Sequence, residues 1–199
     1  MDINTPYRTI TREQFLFHEM RIVARLIKEG KSDEQIIQEV TDNNLFQYPT
    51  ERMIKNITQV CLNRFNKANS QGLIDIVAND SADAAKQACL FLMMNYYRLV
   101  WEFMITVIGE KYRTKDTSFT KVDINSFFTR LQEQNDTVAS WSDATISKCK
   151  QVLKKTLVEN GYLDNSRSEV LNPVLLDLRV KEAIEDTNNK EALIAFGCL

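Results

Sequence analysis

Apolar positions recur every three or four residues along most of this sequence, which is the period of helices that bury one face. The first such segment runs from residue 11 to residue 29, and Gly30 stands where a helix-terminating glycine belongs. The second opens at Ser32, with Gln35 three positions later to complete a capping box. The third starts at Thr50. The pattern therefore predicts three helices in the first third of the chain.

The most apolar segment comprises residues 88 to 108, and at 21 residues it is long enough to cross a bilayer. Asn95, Arg98 and Glu102 interrupt it. A charge at mid-membrane costs roughly 2.5–3.5 kcal/mol, whereas each Leu, Ile, Phe or Val recovers only about 0.3–0.6 kcal/mol. We therefore predict no membrane span but a long, buried central helix that is capped at Ser81, with Arg98 and Glu102 paired one turn apart.

A polar, turn-rich stretch at residues 109 to 118 follows the central helix. The change in composition predicts a boundary there, between a domain of residues 1 to 110 and a second of residues 111 to 199. Five glycines and three prolines in 199 residues are few, and they stand singly between periodic segments. The predicted fold class is mainly α, with the weakly patterned stretch after Gly72 separating the third helix from the central one.

The second half begins with another capping box at Thr120 and Asp123. A later helix ends at Gly161. Residues 162 to 171 have apolar ends around a polar Asn-Ser-Arg-Ser centre, a pattern typical of a hairpin. Pro173 starts the last predicted helical region.

The helix before Gly161 begins at Ser142 as its N-cap, which puts Trp141 and Ile146 at the positions of a hydrophobic staple. At about 100° per residue, one stripe of this helix is apolar and predicted to be buried. It comprises Ile146, Cys149, Leu153 and Leu157. The opposite face carries Ala144, Ser147, Lys148, Gln151 and Lys155, with Lys154 beside them.

This face is basic in an acidic protein. The net charge is −2 and the isoelectric point about 5.6, yet residues 144 to 158 hold four lysines and no acid. Lysines suit phosphates or guanine, and a glutamine suits an adenine edge. A helix, a second helix with a basic outer face and a hairpin bearing Arg167 follow the order of a winged helix-turn-helix. The predicted DNA-binding residues are Ser147, Lys148, Gln151, Lys154, Lys155 and Arg167.

An ordinary solvated, lysine-rich helix explains the same spacing equally well. Two features also oppose DNA binding. The connection before the basic helix, at about residues 131 to 141, is longer than the three or four residues of a standard helix-turn-helix. Asp143, in the first turn, would repel a phosphate that approached the helix N-terminus.

The sequence offers little chemistry for catalysis. His18 is the only histidine, and Cys61, Cys89, Cys149 and Cys198 are far apart, so no metal-ligand spacing is recognisable. Glycine-rich phosphate loops are absent. We therefore predict no catalytic residue, metal, cofactor or small-molecule substrate, and no enzyme. Three of the cysteines occupy apolar helix positions, which predicts buried free thiols and a reducing, cytoplasmic location.

Six segments, in order, resemble the BrxA (DUF1819) family of bacterial BREX, or bacteriophage exclusion, systems, and the likeness covers about residues 7 to 197. They are "FLFHEMRIVARLI", "NLFQYPTERMIKNI", "KQACLFLMMNYYRLVWEFMITVI", "VASWSDATISKCKQVLKKTLVENGYL", "NPVLLD" and "ALIAFG". The resemblance implies a mostly helical protein, a helical N-terminal bundle and a winged-helix-like C-terminal half that share the long central helix.

The resemblance further implies duplex-DNA binding within a multi-protein phage-defence system, without catalytic activity, and other BREX proteins as partners. The site residues above come from the helical pattern and not from the family. An alternative function is that of a helical adaptor that docks other defence proteins. Basic residues that could serve either role lie on the first and third helices: Arg12, Arg21, Arg25, Arg52, Lys55 and Arg64.

Overall fold

The computed structural model describes residues 5 to 198, which are mainly helical as predicted. The first part contains α1 (Phe17–Lys28), α2 (Asp33–Asp42), α3 (Glu51–Ala68), α4 (Gln71–Asn79) and α5 (Ala82–Tyr96). A central part contains α6 (Arg98–Phe103), a π-helical turn (Met104–Gly109) and α7 (Glu110–Thr114). The last part contains α8 (Lys121–Gln134), α9 (Asp136–Ala139), α10 (Asp143–Glu159), α11 (Leu178–Glu185) and a 3₁₀-helix (Lys190–Phe196).

The predicted helix starts are largely confirmed. Ser32 and Gln35 form the predicted capping box, in which the Ser32 amide donates to Gln35 Oε1 at 2.9 Å. Thr120 and Asp123 form the second capping box at the start of α8. Each cap is a contact between residues three positions apart, so the local sequence is sufficient to predict it.

The central helical segment forms the middle of the molecule. Almost every residue of α5 from Ala84 onward is buried, and α5 packs against α3, α4 and α6. In turn α1 packs against α4, and the 3₁₀-helix packs against the π-helical turn. Buried apolar residues from Tyr7 to Phe196 belong to one hydrophobic core. The core therefore extends through both halves of the chain.

The polar residues of the central segment contact the N-terminal part of the chain. Arg98 Nε lies 2.7 Å from Glu102 Oε1, which confirms the predicted ion pair. The Tyr7 hydroxyl donates to Glu102 Oε2 at 2.6 Å, and the Arg98 guanidinium lies 4.4 Å from the Tyr7 ring centroid. Within residues 5 to 198, no helix combines the length and apolarity that crossing a bilayer requires.

The first helix begins at Phe17, and the prediction that it begins at residue 11 is wrong. Leu16 has a left-handed backbone with φ of 61°, which separates α1 from the segment before it. That segment is held by buried Arg64 of α3, which donates to three of its backbone carbonyls. A distant side chain therefore overrides the helical pattern.

Two predictions about the central region also need correction. Gly72 lies inside α4, which is capped at Ser70, so it does not separate the third helix from an irregular piece. The central helix is not continuous either, because Tyr97 adopts an extended conformation with φ of −109° and ψ of 112°. The buried Tyr97 side chain reaches Glu13 in the N-terminal segment.

The predicted hairpin at residues 162 to 171 is absent, and turns and bends take its place. Val170 instead makes an isolated antiparallel bridge to Ser118, ahead of α8. The last helix does not start at Pro173, because residues 173 to 177 precede α11 without helical structure and Asp177 is its cap. The chain is helical across residues 110 and 111. The proposed division into two domains there stays a prediction.

Candidate nucleic-acid interface

Helix α10 has the predicted start, end and buried face. The Ser142 hydroxyl accepts a hydrogen bond from the Thr145 amide at 3.3 Å, and Gly161, with φ of 75°, follows the C-terminus. The buried residues include the predicted stripe: Ile146, Cys149, Val152, Leu153, Thr156 and Leu157. Trp141 is partly buried against the core, and its predicted staple contact with Ile146 stays a prediction.

The connection before α10 is shorter than the sequence predicts. Helix α8 extends to Gln134, and the short helix α9 occupies Asp136–Ala139. Only residues 140 to 142 then separate α9 from α10. The whole connection between α8 and α10 still spans eight residues, 135 to 142, so it remains longer than the three or four residues of a standard helix-turn-helix.

The loop after α10 is fixed at both ends. Its base closes through the Asn172 amide, which donates to the Tyr162 carbonyl at 2.9 Å. The Phe119 amide donates to the Glu169 carbonyl at 2.8 Å, which ties the loop to the residues before α8. Its tip turns at Asn165, whose side chain accepts from the Arg167 amide at 2.8 Å. The tip thereby stands beside α10 without forming a hairpin.

A groove of about 630 Å³ lies between the start of α8, the outer face of α10 and this loop tip. Its apolar lining comes from Phe119, Ile124 and Val158. The polar residues of the groove are Thr120, Lys121, Asn125, Ser147, Lys150, Gln151, Lys154, Lys155, Asp164, Asn165 and Ser166. Four lysines and one carboxylate, that of Asp164, therefore line the groove. We call this surface the α10 groove.

The lysines of α10 differ in their contacts. Lys150 Nζ donates to Asn125 Oδ1 at 2.8 Å and lies 5.4 Å from the Phe128 ring centroid. Lys155 Nζ donates to Gln14 Oε1 at 3.0 Å and lies 3.5 Å from Glu159 Oε1. Across residues 5 to 198, neither Lys148 nor Lys154 forms an ion pair. No carboxylate in that part of the chain is therefore paired with these two ammonium groups.

The structure brings together four of the six predicted DNA-binding residues, since Ser147, Gln151, Lys154 and Lys155 line the α10 groove. Lys148 and Arg167 are exposed but lie outside its lining. Sequence reasoning missed Lys121 and Lys150. Lys150 belongs to the basic segment, whereas nothing in the local pattern shows that Lys121, at the start of another helix, faces α10.

A family model described as BrxA matches residues 6 to 188. The chain belongs to the BrxA family. Among its relatives, the "BREX protein BrxA" of Bacillus cereus (strain H3081.97) is 35% identical over 88% of both chains. The "BREX protein BrxA" of Escherichia coli O9:H4 (strain HS) is 23% identical over 79% of this chain and 74% of its own.

The BrxA fold is also seen in a crystal structure described as that of an uncharacterized protein from Magnetospirillum magneticum. The TM-score is 0.83, with 20% identity over 96% of this chain and 98% of that one. At this identity the comparison supports the fold alone. It shows that the arrangement of helices described above occurs in a second, distantly related sequence.

The basic residues of the first and third helices are not all available to partners of this BrxA-family chain. Arg64 is fully buried, so the suggestion that it serves a binding surface is wrong. Arg21 Nη2 donates to the Asp80 carbonyl at 2.6 Å, and Arg25 Nε donates to the Ala78 carbonyl at 3.3 Å. Both therefore stabilise the end of α4. Arg12 and Arg52 are exposed.

The candidate catalytic groups of the sequence are dispersed. His18 is exposed on α1, outside the α10 groove. Cys61, Cys89 and Cys149 are buried free thiols, and burial raises the pKa of each. Among the described residues, no group of three or more His, Cys, Asp or Glu side chains could hold a metal ion.

Proposed function

We propose that this chain is a non-enzymatic DNA-binding subunit of a BREX bacteriophage-defence system and works in the cytoplasm. It binds duplex DNA through the outer face of α10 and the loop tip that carries Arg167. The membership of the BrxA family and the names of its relatives support the defence role. The observation that carries the DNA-binding role is the α10 groove, in which four lysines face one carboxylate.

In this proposal the residues of the site have different tasks. Lys148, Lys154 and Arg167 supply charge for phosphates, which position a duplex without reading its sequence. Gln151 projects from the middle of the exposed face of α10, where an amide can pair with an adenine edge. Ser147 is one turn earlier on the same face and can donate to a phosphate. Asp143, in the first turn, directs phosphates away from the N-terminus of α10.

The absence of catalysis is part of the proposal. Thiolates are the nucleophilic form of cysteine, and the three buried cysteines are held as thiols by their raised pKa values. The side chain of His18 does not line the α10 groove. Supercoiled plasmid that remains intact after incubation with the protein and Mg²⁺ is the expected result. Nicking that persists through purification and that a single substitution abolishes would contradict it.

DNA binding is tested by the salt dependence of affinity for a 30-base-pair duplex. If about four to six phosphates are neutralised, log affinity falls with log salt concentration at a slope of about −4 to −5. The informative variant combines Lys148→Glu and Lys154→Glu, because neither side chain forms an ion pair within residues 5 to 198. Lys155 is a poorer choice because it also bonds to Gln14. The variant with Lys148→Glu and Lys154→Glu should lose its binding to the duplex.

The matched control combines Lys67→Glu and Lys190→Glu, two exposed positions outside the groove with the same change in charge. It should retain most of the affinity of the wild type. A flat salt response of the wild type would overturn the proposed function. Equal affinity of the two double variants would remove α10 as its site.

A second candidate function is docking of other BREX proteins, and exposed apolar side chains favour it. Leu175 is 93% exposed and Leu178 is 66% exposed. The segment that carries them is held in place by Gln87, whose Nε2 donates to the Leu175 carbonyl at 2.8 Å. Contiguous apolar patches on a surface mark protein contact sites, and these two leucines are the candidates for such a patch here.

Pull-down with the other proteins of the same system separates the two functions. The adaptor role requires that the Lys148→Glu, Lys154→Glu variant still captures a partner. It also requires that Leu175→Ser with Leu178→Ser prevents the capture. If the charge-reversed variant captures nothing and the serine variant behaves as the wild type, docking through this segment is excluded.

A further inference from the structure

A second depression, of about 550 Å³, adjoins the α10 groove on the side of the N-terminal half. It lies between the segment before α1, the first turns of α1 and α3, and the last turns of α10. The residues that line it are Arg12, Gln14, Phe15, Leu16, Phe17, His18, Glu19, Tyr48, Met53, Ile57, Lys86, Lys155 and Glu159. We call it the N-terminal depression.

Lys155 lines both the α10 groove and the N-terminal depression. Its ammonium donates to Gln14 Oε1 at 3.0 Å, which connects the last turns of α10 to the N-terminal segment. The backbone carbonyl of Gln14 in turn accepts from Arg64 Nη2 at 2.7 Å. Since Arg64 is fully buried, the junction between the two surfaces rests on the core. The two surfaces therefore adjoin at Lys155.

Two cations of the N-terminal depression have no carboxylate partner among the described residues. Arg12 is exposed, and across residues 5 to 198 neither Arg12 nor Lys86 forms an ion pair. Lys86 Nζ instead lies 5.8 Å from the Phe17 ring centroid, a contact that orients the ammonium without neutralising it.

The two carboxylates of the depression are already engaged. Glu19 Oε1 accepts from the Tyr48 hydroxyl at 2.5 Å, and Glu159 lies beside Lys155. Lys155 offsets the charge of Glu159, whereas Glu19 keeps its own, so Arg12 and Lys86 stand against one uncompensated carboxylate. An anion that occupies the α10 groove and extends past Lys155 next meets these two unpaired cations.

We propose that the bound DNA duplex extends beyond α10 into the N-terminal half, where Arg12 and Lys86 contact its phosphates. This inference rests on the proposed DNA-binding function and adds a second contact region to it. A duplex is the occupant because its charge is continuous, with one phosphate charge per about 1.7 Å of axis. From Ser147 to Lys155, α10 rises only about 12 Å, so the helix alone contacts a small part of a longer duplex.

The test measures the salt slope of binding to the same 30-base-pair duplex for Arg12→Gln combined with Lys86→Gln. Each lost phosphate contact reduces the magnitude of the slope by about 0.9, so the double variant should show a slope smaller in magnitude by about 2. Glutamine retains much of the length of each side chain, and thermal unfolding confirms that the variant is folded. Lys67→Gln with Lys190→Gln is the control for the change in net charge, and its slope should match that of the wild type.

A charge-retaining variant, Arg12→Lys with Lys86→Arg, should restore the wild-type slope. If the glutamine variant keeps the wild-type slope while Lys148→Glu with Lys154→Glu prevents binding, the extension into the N-terminal half is wrong and the proposed function stands. If the wild type shows no salt-dependent binding, both proposals fail. A reduced slope that the charge-retaining variant does not restore also contradicts the phosphate contacts.

Discussion

Arg64 Nη1 donates a 2.8 Å hydrogen bond to the backbone carbonyl of Phe15, which lies 49 positions earlier in the chain. The same guanidinium donates from Nη2 to the carbonyls of Glu13 and Gln14, at 3.1 and 2.7 Å. A fully buried arginine thus provides the hydrogen bonds that a helix would otherwise have given to this segment. It also sets the position of Gln14 opposite Lys155.

Replacing Arg64 by methionine should destabilise the protein strongly. The three carbonyls would lose their donor in a buried environment, and each unsatisfied group costs about 1–3 kcal/mol. We expect the free energy of unfolding to fall by at least about 3 kcal/mol, measured by urea denaturation. Arg52→Met on the exposed start of the same helix is the control and should change it by about 0.5 kcal/mol or less. Similar losses in both variants would show that the carbonyl contacts are not the cause.

The contrast between caps and long-range contacts explains which parts of the fold could be predicted. Ser32, Thr120 and Ser142 act within four residues of themselves, so the sequence alone locates the helices that they start. The start of α1 could not be found in this way, because the donor that holds the preceding segment belongs to α3. The break at Tyr97 has the same origin, since its side chain reaches back to Glu13.

The residues of the candidate site also divide into those that the local sequence predicts and those that depend on long-range packing. The buried and exposed faces of α10 result from its own periodicity, and Ser147, Gln151 and Lys155 could therefore be identified from the sequence. Lys121 could not, because its place in the α10 groove depends on how α8 packs beside α10. Where the hairpin was predicted, Val170 instead bridges to Ser118, a distant contact that the local pattern does not indicate.

Substitution of Gly109 by alanine should destabilise the protein because the π-helical turn packs closely on the 3₁₀-helix. A Cβ at Gly109 would lie 2.5 Å from Ile194 Cγ2 and 3.2 Å from the Ile194 carbonyl oxygen. Overpacking of this kind costs about 1–3 kcal/mol. Adding Ile194→Ala should remove the side-chain clash, so the two substitutions should be non-additive in thermal unfolding.

Gly72→Ala provides the matched comparison and should change stability in the opposite direction. A Cβ at Gly72, inside helix α4, would meet Ala183 Cβ of helix α11 at 3.5 Å, an ordinary van der Waals contact. Alanine is favoured over glycine in a helix by about 0.5–1 kcal/mol. A loss of stability equal to that of Gly109→Ala would contradict the assignment of the close contact to the π-helical turn.

Thiol labelling should distinguish Cys198 from the three buried cysteines. Burial raises the pKa of Cys61 to about 12 and also raises the pKa of Cys89 and Cys149. These three groups remain protonated thiols at pH 8, whereas Cys198 is partly exposed. A disulfide reagent should therefore label one thiol in the native protein and all four after denaturation. Cys198→Ser should abolish the native signal, and rapid native labelling of Cys149 would show that α10 is not packed on the core.

The loop between α7 and α8 should lose stability in acid through Asp116. Its Oδ2 lies 2.8 Å from Lys111 Nζ, and this hydrogen bond holds the pKa of Asp116 well below its usual value of 3.8. A depressed carboxylate pKa contributes stability above the pKa of the unfolded chain, and the contribution is lost as pH falls through the folded pKa. Thermal unfolding should thus show Asp116→Asn to be less stable than the wild type at pH 7. The difference in stability should shrink as pH falls below about 4.

The control for the ionic contact is the same substitution in a Lys111→Met background, which should show a much smaller pH-dependent difference in stability. If the difference between Asp116→Asn and the wild type stays constant from pH 7 to pH 2, the ionic contact is not the cause of the lost stability.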